Sequence, residues 1–276
     1  MTESSLDARL LGLEPSGDRL RFVLQPHLCR PDGMLYGGTA LAAALAAMEV
    51  VTGRPALWAS TQLVATAAMD DVVEVDVEPL ARGHYVDQVR VTALVGGGVL
   101  FAAVGSTATG RRDGLHGLGV TMPTVTPPEE SAERVGTNRW GNEPGGPGHH
   151  QILEMRTADL LDGEQAGRKA MWVRMIDEPT TTAAKLGFLA DMVPLAICDA
   201  AGVLGAGTSL DNSLRVGHLV DCEWILLDLR GQLAHEGYGY GEAHCWSPDG
   251  VLLGTGTQTA KLFSFEQRFG IESPWA

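Results

Sequence analysis

The chain has 276 residues, 45% of them hydrophobic, which is enough to bury a large core and indicates two domains rather than a disordered chain. Its formal net charge of −14 argues against nucleic acid or an anionic membrane as the main partner, because both are bound through surfaces rich in Lys and Arg. Any phosphorylated ligand must therefore find a local basic pocket.

The cysteines and the apolar segments indicate a compartment. Four cysteines are scattered without a C-x-x-C pair, as expected where thiols stay reduced, so we expect a cytoplasmic protein. Residues 1–15 have neither a basic start nor an apolar core, so no secretory signal is expected. The longest apolar stretch, Leu41 to Val51, contains Glu49 and is shorter than the ~20 residues that a membrane span requires. We expect no insertion into a membrane.

The first half of the chain predicts a strand, a helix and an antiparallel meander. Arg19 to Gln25 alternates as a strand, and the Ala- and Leu-rich run Thr39 to Val51 predicts a largely buried helix. Three alternating strands follow, over residues 73–78, 88–93 and 99–107. Gly96-Gly97-Gly98 predicts the turn between the last two strands. Alternation of period two is typical of an antiparallel sheet with one face on a core.

Periodicity disappears between Gly110 and His150, where proline and glycine are frequent and favour turns and extended chain. We therefore predict an N-terminal module over residues 1–110, a Pro/Gly-rich linker over 111–148 and a C-terminal module over 149–276. The alternative is one long surface loop inside a single domain, which is disfavoured because structureless loops of that length are uncommon in compact domains.

The same order of elements returns after the linker. Met171 to Asp177 is extended, and Ala183 to Ala201 is an apolar helical run. Four extended segments follow, over residues 209–219, 223–230, 238–246 and 251–262. The closing hairpins match, because Leu94 to Phe101 has the same place in the first half as Cys245 to Leu253 in the second. These features indicate an internal duplication of α+β class, in which each module packs one long helix on a curved antiparallel sheet.

Three parts of the sequence carry a family resemblance. They are Leu35-Tyr36-Gly37-Gly38-Thr39 at the first helix, Leu186 to Asp191 in the second helical run, and the paired strand segments Ser209 to Leu214 and Val251 to Gln258. In these segments and in its order of elements the chain resembles the TesB-like (type II) acyl-CoA thioesterases, which have a double hotdog fold. The resemblance implies hydrolysis of acyl-CoA thioesters to free fatty acid and CoA, with no cofactor.

The resemblance also implies catalytic residues. In that family a carboxylate, a hydroxyl and an amide hold the hydrolytic water, and the matching positions here are Asp191, Ser209 and Gln258. The family usually has Thr where this chain has Ser209, which preserves the hydroxyl but loosens its rotamer. The segment Trp58 to Gln62 lacks the histidines that the family often carries on this strand, so the substrate preference is expected to differ.

The residues themselves support that chemistry. Asp191 stands among apolar residues, where burial raises the pKa of a carboxylate and strengthens it as a base. Gly37 and Gly38 have no Cβ atom, so their backbone can approach a ligand closely and its N–H groups can polarise a thioester carbonyl. Aligning the final hairpins of the two halves places Ser106 opposite Gln258 and Gly38 opposite Asp191. Only one of the two pseudo-symmetric sites therefore keeps the acid, the hydroxyl and the amide together. We predict attack by a water that Asp191 activates.

Other interpretations remain open. Asp191 could be an acid stabilised by a helix dipole, and Ser209 and Gln258 could be ordinary polar strand residues. A non-catalytic acyl-CoA or acyl-chain binding protein is the rival from another class. An enoyl-CoA hydratase on the same fold is disfavoured, because its motif requires a histidine two residues past Pro194, where this chain has Ala196.

Remaining polar residues receive weaker assignments. Glu49 on the first helix is an alternative base. His149-His150 could suggest a metal, but no third ligand is spaced to join them, so we interpret them as a solvated loop pair and expect no metal site. The expected partners are an acyl-CoA substrate and a second copy of the chain in a homodimer. For the CoA phosphates, the candidate counter-charges are Arg82, Arg111, Arg112 and Lys261.

Overall fold

The computed structural model describes residues 6–111, 114–134, 146–163 and 166–266. Its first half contains two α-helices, α1 (Leu6–Leu11) and α2 (Gly37–Thr52). The strands of this half are β1 (Glu14–Ser16), β2 (Arg19–Val23), β3 (Ala56–Leu63), β4 (Val72–Arg82), β5 (Val86–Val95) and β6 (Gly98–Ala108). All of the strands predicted before the linker are therefore present.

The second half also contains two α-helices, but both come after its first strands. Its helices are α3 (Ala183–Leu189) and α4 (Val193–Ala200). Its strands are β7 (Ala132–Glu133), β8 (Leu153–Ala158), β9 (Arg168–Met175), β10 (Gly205–Val216), β11 (Ile225–His235), β12 (Tyr238–Trp246) and β13 (Leu252–Ser264). Short 3₁₀ helices occur at Pro26–Leu28, Pro128–Glu130 and His149–Gln151. Among the described residues, no helix has the length and apolar character needed to cross a membrane.

One antiparallel sheet runs through both halves. Its strand order is β1-β2-β4-β5-β6-β3-β10-β13-β12-β11-β9-β8-β7, so the two halves meet at β3 and β10. In that junction Asp211 pairs with Gln62, and Arg215 pairs with Trp58. The edge-to-edge pairing covers two strand edges that would otherwise be exposed. The repeated α+β architecture predicted from the sequence is confirmed.

Helix α2 is the central helix of the molecule. Every residue from Gly37 to Met48 is buried, which explains why the helix is apolar on all sides. It packs closely on α3, because a Cβ atom on Gly187 would lie 2.8 Å from Leu45 Cδ1. The helix ends at Thr52, and the next residue, Gly53, has a left-handed φ of 68°, which is typical of a C-terminal cap.

The second helical run is not continuous, so the prediction of one helix from Ala183 to Ala201 is wrong. Helix α3 ends at Leu189, and α4 begins at Val193 with Pro194 in its first turn. Proline has no N–H, and its ring would clash with the carbonyl four residues earlier, here that of Ala190. The break places Asp191 between two helices rather than inside one.

Part of the predicted linker packs against the C-terminal half. Strand β7 pairs with β8, and the carbonyl of Thr126 accepts a hydrogen bond from Trp172 Nε1 at 2.8 Å. Met122 and Val125 pack on a cluster that includes Trp172 and Trp246, on the sheet face opposite to α4. Residues 112–113 and 135–145 of the linker lie outside the described residues, and the module boundaries stay a prediction.

Glycine at position 231 allows α4 to lie close to the sheet, and this gives a test of the packing. A Cβ atom there would lie 2.5 Å from the carbonyl oxygen of Ala196 and 2.6 Å from the Cα of Ile197. We expect Gly231→Ala to lower the free energy of unfolding by about 1–3 kcal/mol, because α4 must move away. Urea denaturation measures this change. The control is Gly119→Ala, where a Cβ atom would have no neighbour within 4 Å and stability should hardly change.

Candidate active site

The carboxylate of Asp191 joins the two halves of the molecule. It lies in the break between α3 and α4, and its Oδ2 accepts a hydrogen bond from the backbone N–H of Gly38 at 2.8 Å. Gly38 belongs to the first turn of α2, where unpaired N–H groups and the helix dipole stabilise a negative charge. The acid therefore comes from the C-terminal half, and one of its donors comes from the N-terminal half.

Three side chains donate to the other carboxylate oxygen. Asp191 Oδ1 accepts from Ser209 Oγ at 2.9 Å, from Asn212 Nδ2 at 2.9 Å and from Gln258 Nε2 at 2.6 Å. Gln258 Nε2 also lies 2.8 Å from Ser209 Oγ. The structure thus brings together the acid, the hydroxyl and the amide that the sequence suggested, within direct hydrogen-bonding distance of one another.

Asn212 is the site residue that sequence reasoning missed. On a regular strand, Ser209 and Asn212 would point to opposite faces, because side chains alternate. The register of β10 shifts here: Ser209 pairs with Ala260, and Asp211 pairs with the adjacent Thr259. The extra residue of this β-bulge turns both Ser209 and Asn212 toward Asp191. The adjacent polar residues Asp211, Asn212 and Ser213 break the alternation of a regular strand, and this was the signal that could have revealed it.

Asp211 has a different role from its polar neighbours. Its Oδ1 accepts a hydrogen bond from the backbone N–H of Thr259 at 2.9 Å. This contact braces β10 against β13 next to the bulge. Asp211 therefore supports the sheet through a backbone contact.

Glycine is required at the start of α2. A Cβ atom on Gly37 would lie 2.6 Å from Ser209 Oγ and 2.8 Å from Asp191 Oδ2, and one on Gly38 would lie 2.3 Å from the carbonyl oxygen of Phe188. Only residues without a side chain allow this approach. The expectation that the N–H of Gly38 points at a ligand is wrong, because this N–H donates to Asp191. Gly37, the other glycine of the pair, is the first residue of the helix.

Burial sets the protonation of the acid. Loss of solvent raises the pKa of Asp191 to about 6, and the hydrogen bonds from Asn212, Ser209 and Gly38, with the positive charge of Arg30, oppose that rise. At neutral pH Asp191 is therefore ionised, yet it is a much stronger base than an ordinary aspartate.

These groups open into a cavity of about 470 Å³, a size typical of small-molecule sites. Asp191, Ser209, Gln258 and Gly37 form part of its wall. Most of the remaining wall is apolar, and it includes Leu35, Tyr36, Leu63, Met155, Met171, Met192, Leu195 and Phe263. The cavity thus combines a polar reactive centre with an apolar lining.

The histidine pair also lies at this cavity, so its interpretation as a solvated loop pair is wrong. His149 and His150 both contribute to the wall, and the ring of His149 stacks on Tyr36 with a centroid distance of 4.6 Å. The pKa of His149 is lowered to about 4, first by burial and then by neighbouring positive groups. Among the described residues, no three His, Cys, Asp or Glu side chains are grouped to hold a metal ion.

The proposed CoA counter-charges do not meet at the cavity. Arg82 and Lys261 are exposed on β4 and β13, and Arg111 lies over the ring of Tyr85. None of these three residues contributes to the cavity wall. Arg112 lies outside the described residues. The arginines in the wall are Arg30 and Arg134. The charge pattern alone could not show which basic residues fold toward the site.

Glu49 can be set aside as a base. Its Oε1 accepts a hydrogen bond from the backbone N–H of Ala56 at 2.7 Å, near the C-terminal end of α2, and it does not line the cavity. The acid in the wall beside Ser209 and Gln258 is Asp191.

Solved structures share this architecture. A candidate thioesterase from Novosphingobium aromaticivorans is 28% identical, with a TM-score of 0.80 over 90% of this chain and 97% of that one. A hot dog fold protein from Alicyclobacillus acidocaldarius is 20% identical, with a TM-score of 0.76 over 91% and 96%. The TesB protein of Mycobacterium avium subspecies paratuberculosis is 23% identical, with a TM-score of 0.71 over 94% and 97%. At this identity, the last two show the fold alone.

Sequence comparison assigns the family. No curated protein matches the chain at a significant level. The model of the acyl-CoA thioesterase C-terminal domain matches residues 124–262, which is half of the chain. The match includes Asp191, Ser209, Asn212 and Gln258, and it begins within the segment that packs on the C-terminal sheet. The chain belongs to the acyl-CoA thioesterase family, and it is a thioester hydrolase with a double hotdog fold.

Proposed function

We propose that the protein cleaves acyl-CoA to a free acid and CoA with Asp191 as general base, and with Ser209 and Gln258 holding the attacking water. The observation that carries this proposal is the Asp191 carboxylate itself. It is an acid with a raised pKa in the wall of a largely apolar cavity, and it is bound by a hydroxyl and by two amides.

The reaction needs one proton acceptor and one nucleophile. Asp191 takes a proton from water as the water oxygen bonds to the thioester carbon. The tetrahedral intermediate then collapses, the C–S bond breaks, and the proton passes to the CoA sulfur. General base catalysis of this kind typically contributes about 10²–10⁴-fold to the rate. A pKa of about 6 keeps the base ionised at neutral pH without making it too weak to accept the proton.

Ser209 acts as a holder rather than as the nucleophile. Its hydroxyl donates to Asp191 Oδ1, and the hydroxyl oxygen itself accepts a hydrogen bond from Gln258 Nε2. These contacts fix the direction of the hydroxyl lone pairs. A water that donates to the remaining lone pair of the Ser209 hydroxyl is then aligned with Gln258 and with the base, Asp191. This alignment lowers the entropic cost of attack.

The start of α2 supports the developing negative charge. Gly37 is the first residue of that helix and lies against both Asp191 and Ser209. Backbone N–H groups at a helix start are suited to stabilise an oxyanion. We assign this role to Gly37, whereas Gly38 orients the base through its own N–H group.

The cavity wall supports an acyl substrate. Its apolar residues fit an acyl chain. The arginines of the wall are Arg30, which is ion-paired with Asp32, and Arg134, and we propose that they contact the CoA phosphates. All four cysteines are free, and three of them are buried, which fits a reducing compartment such as the cytoplasm. The hydrolysis itself uses only water as co-substrate.

Removing the base tests the central assignment. We expect Asp191→Asn to lower kcat for acyl-CoA hydrolysis by about 10²–10⁴-fold, because the amide cannot accept the proton. Release of CoA thiol from a panel of short to long acyl-CoA esters measures this loss, and circular dichroism with urea denaturation shows whether the variant is folded. A folded variant that keeps activity within a few-fold of the parent would rule Asp191 out as the base.

The hydroxyl can be tested with a matched pair of variants. Ser209→Ala removes one hydrogen bond to a charged group, and we expect kcat/KM to fall by about 10- to 100-fold. Ser209→Thr keeps the hydroxyl, so most of the activity should remain. Equal losses in both variants would show that the site is sensitive to the volume at this position rather than to the hydroxyl.

The raised pKa predicts the pH dependence. Only ionised Asp191 can accept a proton, so activity is lost as the pH falls through about 6, where the carboxylate becomes protonated. Below that pH we expect kcat/KM to fall about tenfold per pH unit, and above it the profile should be flat. The measurement is a pH–rate profile in buffers of constant ionic strength. A profile that stays flat down to pH 4.5 would contradict the assignment.

A further inference from the structure

The ring of Tyr36 lies between two other rings. It is 95% buried, it stacks on His149 with an interplanar angle of 25°, and it meets Phe188 edge to face with a centroid distance of 5.1 Å. Phe188 belongs to α3, the helix that leads into Asp191. Tyr36 immediately precedes Gly37, so one aromatic stack contacts both elements that build the reactive centre.

His149 reaches this place from the far side of the linker. Its backbone N–H donates to the carbonyl of Cys29 at 3.1 Å, and that of Gly148 donates to the carbonyl of Pro26 at 2.9 Å. These bonds fasten the start of the C-terminal half to the loop that precedes α2. The backbone bonds of Gly148 and His149 thereby hold the imidazole of His149 over Tyr36.

Tyr36 transmits its position to the helix start through its backbone. Its N–H donates to the carbonyl of Leu28 at 3.2 Å, and its own carbonyl accepts from Thr39 at 3.0 Å. The backbone of Tyr36 is thus bonded both to the loop before α2 and to the first turn of α2, so a shift of this backbone would shift that turn. That turn contains the Gly38 N–H that binds Asp191.

From these contacts we infer that His149 is a positioning residue: its ring, stacked on Tyr36, fixes the start of α2 and so the Gly38 N–H that binds Asp191. This inference rests on the proposed function, in which Asp191 is the base. His149 contributes a flat surface, and the hydrolysis takes no proton from it.

The surroundings of the imidazole favour a packing role over an acid–base role. Burial and the charges of His150 and Arg134 lower the pKa of His149, so the ring is neutral at physiological pH. Its Nδ1 is buried and has no hydrogen-bond partner among the described residues. An uncharged ring whose buried nitrogen is unpaired acts mainly through its stacked face.

Two substitutions separate the ring face from its nitrogens. The variant His149→Leu fills the space without a flat ring. We expect it to lower kcat by about 10- to 100-fold, because a displaced Gly38 N–H would misplace the carboxylate of Asp191. It should also raise the pKa of Asp191, because a weaker Gly38 hydrogen bond stabilises the carboxylate less. His149→Phe keeps a stacking ring, so its kcat and its Asp191 pKa should be close to those of the parent protein.

The measurements are kcat and KM for acyl-CoA, the pH–rate profile, and the Asp191 titration followed by carbon-13 NMR without substrate. The NMR titration does not depend on turnover, and thermal unfolding shows that each variant is folded. His235→Ala serves as the control, because this histidine is 77% exposed and lies at the far end of a hairpin. It should behave as the parent protein does.

The outcomes are distinguishable. If His149→Phe is as impaired as His149→Leu, a ring nitrogen is needed and the positioning role is wrong. If His149→Leu leaves both kcat and the pKa of Asp191 unchanged, the stack has no influence on the site and the inference also fails. If instead the parent protein hydrolyses no ester, or Asp191→Asn remains active, the proposed function fails, whatever the His149 variants do.

Discussion

A carboxylate loses several kcal/mol of hydration when it is buried, and that loss must be offset by donors placed around it. Asp191 has four such donors: the Gly38 N–H of the first half, and Ser209, Asn212 and Gln258 of the second. The full set of donors is therefore present only when both halves are folded and joined in the correct register. The junction between β3 and β10 and the close approach at Gly37 and Gly38 provide this arrangement.

Two local irregularities aim the side chains at this point. The proline of α4 breaks what would have been one helix, so that the Asp191 side chain leaves the helical surface. The bulge at Leu210 brings two polar side chains of one strand to the same face. A regular strand would have turned either Ser209 or Asn212 away from Asp191. The site thus depends on departures from ideal geometry, which the surrounding pairing of β10 with β13 holds in place.

The same irregularities set the limit of sequence reasoning. Alternation and apolar runs predicted the strands and the long helix, because those patterns follow from burying one face or a whole helix. Pro194 marks the helix break in the sequence itself, because proline is tolerated only in the first turn of a helix. Asn212 was missed because a bulge changes which face a residue occupies, and the broken alternation in the sequence does not show which residue is the extra one. The stack of His149 on Tyr36 joins positions more than a hundred residues apart, so it could only come from the folded chain.

The fusion of two modules in one chain has an evolutionary consequence. If two identical chains formed this arrangement, every substitution would enter both sites at once, and an acid gained at one helix would also appear at the other. In the sequence alignment of the two halves, Gly38 at the start of α2 stands opposite the acid, and Ser106, which stands opposite Gln258, bonds to Gln88 instead of to a carboxylate. Because both halves lie in one chain, one half can provide the start of α2 while the other provides the carboxylate of Asp191. Each half can now diverge in a way that a symmetric assembly would forbid.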